Sequence, residues 1–112
     1  MEHLHTVLQV AVALSVYYVW IFRYPNVVAE FSQFGLSDTV RNAVGAAKMS
    51  LAALLVVGIW YAPVVPIAAA LMGAFMLAAQ FFHWKAGNPI VKKTPSLILL
   101  LLSAWIAISA MP

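Results

Sequence analysis

Cysteine is absent from this 112-residue sequence. That excludes disulfides, thiolate metal sites and dithiol redox chemistry carried by the chain alone. Charge is nearly as scarce. Only 8% of residues are Asp, Glu, Lys or Arg, and three are acidic, whereas soluble domains carry about 25% charged residues. With 65% hydrophobic residues and a mean hydropathy of +0.98, the chain lacks the polar surface to cover a water-facing globule. Its solvent is lipid. Strict apolar–polar alternation, which marks a membrane barrel, is missing too. Backbone groups cannot stay unpaired in hydrocarbon, so the long apolar runs are helices. The opening Met1-Glu2-His3-Leu4-His5 has no basic stretch, and no small-residue cleavage site follows the first run. That run is therefore expected to be a retained span and not a removed signal peptide. Absent as well are a phosphate-cradling glycine loop, a pair of inward carboxylates and histidines spaced for haem within a span. These absences lean against catalysis by this chain alone.

What is present predicts a single all-α membrane domain, a four-helix bundle with spans over residues 4–22, 40–61, 65–84 and 95–110, each near the ~20 residues a bilayer requires. Tyr17, Tyr18, Trp20 and Tyr24 cluster at the end of the first span, as an interfacial aromatic belt would. In the loop that follows, Val27, Val28, Phe31 and Phe34 recur at near-helical spacing among Glu30, Ser32 and Gln33. This predicts a short interfacial helix closed by Gly35, the alternative being an irregular loop with apolar anchors. Ser37 and Asp38 suit the start of the second span as N-cap and first-turn acid. Pro63 and Pro66 mark a tight turn into the third. Thr94 and Pro95 are expected to open the fourth as N-cap and first helical residue.

All six Lys and Arg residues fall at one end: Arg23, Arg41, Lys48, Lys85, Lys92 and Lys93. The positive-inside rule then predicts an inner-membrane protein with loops 23–42 and 85–94 cytoplasmic and both termini outside. The net charge of +3 follows from this bias and points to membrane lipid, not nucleic acid. Small residues recur every fourth position at Ala70, Ala74 and Ala78, at Ala69 and Gly73, and at Ala46 and Ser50. They predict close packing of the third helix, centred on the second, and a face for a second copy or another membrane protein.

Few residues are suited to chemistry. Lys48 lies about two turns inside the second span, where a charge must snorkel or pair, and Arg41 precedes it on nearly the same face. Gln80, His83 and Trp84, at i, i+3 and i+4, reach the same depth from the third helix. A histidine beside an amide can hydrogen-bond a quinone carbonyl or a lipid headgroup, or simply cap the helix end. Glu30 is the natural counter-charge, and pairing with Lys48 or His83 would tuck the first loop against the bundle. The six residues Glu30, Arg41, Lys48, Gln80, His83 and Trp84 form the candidate ligand site. His3 and His5 have no third ligand nearby, so no metal is expected.

The stretch from Arg41 to Lys48, the apolar run to Pro63 and Pro66, and the third helix ending Gln80-Phe81-Phe82-His83-Trp84-Lys85-Ala86-Gly87-Asn88-Pro89 together resemble the DoxX-like family of small four-helix membrane proteins. Gly45, Lys48, His83, Gly87 and Asn88 match its pattern, and Phe34-Gly35-Leu36-Ser37 resembles the family's first loop. The resemblance covers roughly residues 10–105. It implies a four-helix bundle, and it implies relatives tied to quinone-coupled sulfur oxidation or membrane oxidoreductases, and others acting as chaperones of membrane proteins. The missing cysteine sets direct thiol chemistry aside. The expectation is an accessory or scaffold subunit. The alternatives are a quinone-binding subunit, with quinone as its cofactor, and a small transporter or lipid-binding protein.

Overall fold

Amides that cannot reach water close onto their own chain, and every long apolar run is helical. In the computed structural model, which describes residues 2–111, α1 spans Glu2–Tyr17 and continues through a π-helical turn, Tyr18–Phe22. Then come α2 (Tyr24–Gln33), α3 (Asp38–Val57), a 3₁₀ turn (Ala62–Val64), α4 (Val65–Lys85) and α5 (Ile90–Ser109). No strand occurs among the described residues. Four helical stretches, His3–Phe22, Asp38–Val57, Ala62–Lys85 and Ile90–Ser109, are long and apolar enough to cross a bilayer. The chain is thus an all-α, multi-pass membrane bundle, with α2 as the short helix of the first loop.

Each span packs beside its chain neighbour, and α1 closes the ring against α5. Short connections impose this up–down order. α4 lies chiefly along α5 and secondarily along α3, whereas the small-residue pattern centred it on α3. The reason is which row faces in. Ala68, Ala69 and Gly73 are buried, and Gly73 lets the backbone come so close that a Cβ there would sit 3.7 Å from Ser103 Cβ. Ala70 and Ala74 face outward, as do Ala46 and Ser50. Val12, Val16, Leu55, Met72 and Ile106 fill the centre.

Lipid tails are as apolar as leucine, so polar contacts add cohesion between helices. Gln9 Nε2 donates to the Leu55 carbonyl at 2.8 Å, and Tyr17 Oη to that of Met49 at 2.9 Å, both joining α1 to α3. At the opposite end from the basic loops, Ser109 Oγ lies 3.0 Å from His5 Nε2, and the His5 and Trp105 rings meet at a tilt of 33°, 5.1 Å apart.

Helix ends follow local chemistry, with two departures. Ser37 Oγ accepts from the Val40 amide at 3.2 Å and caps α3, with Asp38 in the first turn. α3 stops at Val57 instead of running to 61: the Ile59 and Trp60 amides donate only three residues back, to the Val56 and Val57 carbonyls, and the chain tightens into a turn in which Gly58 packs closely on Val65. α5 begins at Ile90, with Pro89 rather than Thr94 as N-cap, so Pro95 lies inside the helix. Thr94 Oγ1 bonds back to the Ile90 carbonyl at 2.7 Å and does not cap. Proline has no amide to offer the preceding turn. Gln80 Nε2 braces this weakened turn from α4, donating to the Lys93 carbonyl at 2.7 Å and to Ser96 Oγ at 2.6 Å.

Candidate functional site

Two glycine-terminated helix ends and one glycine within a span build the site. In α3, Gly45 leaves a gap that the Trp20 indole fills; a Cβ there would fall 2.6 Å from Trp20 Cζ3. Trp20 is buried against α3 and meets Phe31 edge-on at 5.8 Å. Lys48, one turn beyond Gly45, places Nζ 5.8 Å from the indole centroid, within cation–π range.

α4 ends in a Schellman turn. The Asn88 amide donates to the His83 carbonyl at 3.0 Å and the Gly87 amide to that of Trp84 at 3.1 Å. This requires a left-handed residue, and Gly87 has φ +71°. The turn folds the Asn88 side chain back beside His83, where Nδ2 lies 2.7 Å from His83 Nδ1. The same amide exchanges two hydrogen bonds with Gln33 of α2, at 2.8 and 3.1 Å. With Asn88 donating to Nδ1, the ring proton rests on Nε2, which faces Glu30 Oε2 at 3.7 Å. α2 ends the same way: Gly35 has φ +74°, and the Leu36 amide donates to the Phe31 carbonyl at 3.0 Å. Phe34 is thereby held against the His83 ring, edge-on at 5.1 Å, and stacked on Phe82 at 5.4 Å.

Two cavities at the basic end share a wall made of Trp20, Glu30, Lys48 and His83. One, the aromatic cavity, of about 230 Å³, lies between α2, α3 and α4; beyond that wall its lining is apolar and includes the rings of Phe31, Phe34, Phe75 and Phe82. The other, of about 310 Å³, lies toward α5. A cavity of ~150 Å³ holds benzene, so the aromatic one has room for a single substituted ring. Its polar wall offers N–H donors from Lys48 and His83 and an acceptor from Glu30. That set can bind a ring through carbonyl oxygens, or through hydroxyls.

Of the six residues expected at a ligand site, Glu30, Lys48 and His83 converge. Arg41 is engaged elsewhere, with Nε on Tyr24 Oη at 3.0 Å and a 2.7 Å ion pair to Asp38. Gln80 is committed to the α5 turn. Trp84 faces outward, and Lys93 Nζ stands 3.3 Å above its ring. Trp20, expected in an interfacial belt, is a wall of the site instead; Tyr18 is exposed, as a belt residue would be. Asn88 and Gln33 orient His83 and were not singled out by spacing. Gly45 was the available signal for Trp20, since a glycine inside a span asks what occupies the space beside it.

A sequence model described as the DoxX-like family matches residues 4–106. No curated protein matches the chain, and no solved structure does either.

Proposed function

This chain belongs to the DoxX-like family and is a multi-pass membrane protein, and from that premise we propose that it is a quinone-holding subunit of the inner membrane, binding the ring in its aromatic cavity. The observation that carries this reading is the meeting of Glu30, Lys48 and His83 on one wall of an otherwise apolar pocket of about 230 Å³ that is rich in aromatic rings. Ligand sites are commonly apolar clefts with a few convergent polar groups. Lys48 and His83 donate to the carbonyls of the oxidised ring, and Glu30 accepts from a hydroxyl of the reduced one. The chain holds and orients the ring, and electrons come from a partner subunit. The basic loops, 23–42 and 85–94, face the cytoplasm and both termini the outside.

The test is equilibrium dialysis of the detergent-purified chain against a short-chain 1,4-benzoquinone, with released endogenous quinone measured in parallel. Saturable one-to-one binding, lost in His83→Ala without loss of helicity, supports the reading. Absence of saturable binding, or binding indifferent to His83→Ala, rejects it.

A second reading, an accessory scaffold that assembles with copies of itself or another membrane protein, draws on the outward Ala70 and Ala74. Small residues every fourth position permit close helix approach. Under that reading Ala74→Leu disperses the assembly while leaving the quinone isotherm unchanged.

A further inference from the structure

The second cavity is chemically unlike the first, and every helix or helix end around it contributes a charged or titratable group. Arg23 comes from the end of α1, Glu30 from α2, Lys48 from α3, His83 from α4 and Lys92 from α5. That is three basic side chains, Arg23, Lys48 and Lys92, against one carboxylate, and Glu30 is already turned toward His83. Arg23 and Lys92 are exposed at the mouth, whereas Lys48 is half-buried inside. The rest of the lining includes Val16, Met76 and Leu99, all apolar, with Val16 and Met76 buried.

A basic mouth over an apolar throat matches a molecule with an anionic head and a hydrocarbon tail. We propose that this α1–α5 cavity is a binding site for a single anionic membrane amphiphile. Its phosphate or carboxylate is taken by Arg23, Lys92 and Lys48, and its chain lies along Val16, Met76 and Leu99. Arginine and lysine bind such oxyanions by charge-assisted hydrogen bonds, and a partly dehydrated pocket strengthens them. The anion neutralises the excess positive charge that Glu30 leaves uncompensated. Lys48 and Glu30 belong to the wall of both cavities, but this site does not depend on the aromatic cavity holding a quinone.

Native mass spectrometry of the whole chain in a mild uncharged detergent tests it. One arm titrates phosphatidylglycerol against phosphatidylcholine, and the other titrates oleate against mono-olein. The expected result in at least one arm is a single retained adduct favoured over its neutral counterpart by about tenfold, the scale of one charge-assisted contact. The arm that responds identifies the head as phosphate or carboxylate. Arg23→Gln/Lys92→Gln removes the preference. Lys85→Gln, a cation outside the cavity, and Phe34→Ala, which lines only the aromatic one, keep it. Equal retention of neutral and anionic species in both arms overturns the proposal. So does an equal loss on Lys85→Gln, which would reduce the effect to bulk surface charge.

Discussion

Gly45→Ala tests the packing on which both cavities depend, and its sign should reverse with what stands opposite. The new Cβ would lie 2.6 Å from Trp20 Cζ3 and 2.8 Å from Cε3, closer than side chains approach, so the ring must move. The indole cannot swing freely, being buried at 7% exposure and flanked by Phe31 and Tyr24. Overpacking of this kind costs about 1–3 kcal/mol. Alanine regains roughly 1 kcal/mol over glycine in a helix interior. The net expectation is a loss of about 1 kcal/mol. In a Trp20→Ala background the obstacle is gone, so the same substitution should stabilise by up to ~1 kcal/mol. The coupling between the two sites is then about 2 kcal/mol, within the range measured for residues in contact. Unfolding in mixed micelles of rising sodium dodecyl sulfate content, followed by far-ultraviolet circular dichroism, yields all four corners of the cycle. Gly45→Ala having the same effect in both backgrounds, within about 0.5 kcal/mol, would refute the steric account.

Gly87→Ala and Gly73→Ala should move in opposite directions. The first forces φ +71° on a residue with a Cβ, at a cost of roughly 1–2 kcal/mol. The second meets Ser103 Cβ at 3.7 Å and Leu100 Cδ1 at 4.0 Å, ordinary van der Waals contacts, so helix propensity should leave it neutral or more stable by up to ~1 kcal/mol; the same micelle unfolding checks both. Gln80→Leu removes the amide donor from the Ser96 hydroxyl and one donor from the Lys93 carbonyl, which keeps Ser96 Oγ at 3.2 Å, for about 0.5–1.5 kcal/mol per lost bond. Hydrogen exchange should then rise over residues 90–96 and not in the later turns of α5. Trp84→Ala should leave unfolding within about 0.5 kcal/mol and quinone dialysis unchanged, because its ring faces outward under Lys93. A loss of binding in that variant would show that the wall of the site is drawn wrongly.

Some of this protein was already determined by short stretches of sequence. Hydropathy and scarce charge fix the lipid solvent and the number of spans. Ser37, Gly35 and Gly87 set helix ends because capping is decided within a few residues. The gathering of all Lys and Arg residues at one end is likewise plain in the order of residues. Tertiary structure decided how each helix is turned about its own axis. In water, an apolar stripe reveals the inner face of a helix. In a bilayer the outer face is apolar too, so Trp20 and Trp84 look alike in sequence, yet one lines the site and the other faces outward. The same loss of contrast hid which alanine row of α4 turns inward and that Gln80 braces α5. It also hid that Glu30, Lys48 and His83, separated by 18 and 35 residues, face one another while Arg41 does not. Their convergence depends on three helices settling into one another at glycine-made gaps, and side-chain shape, not hydropathy, decides that fit.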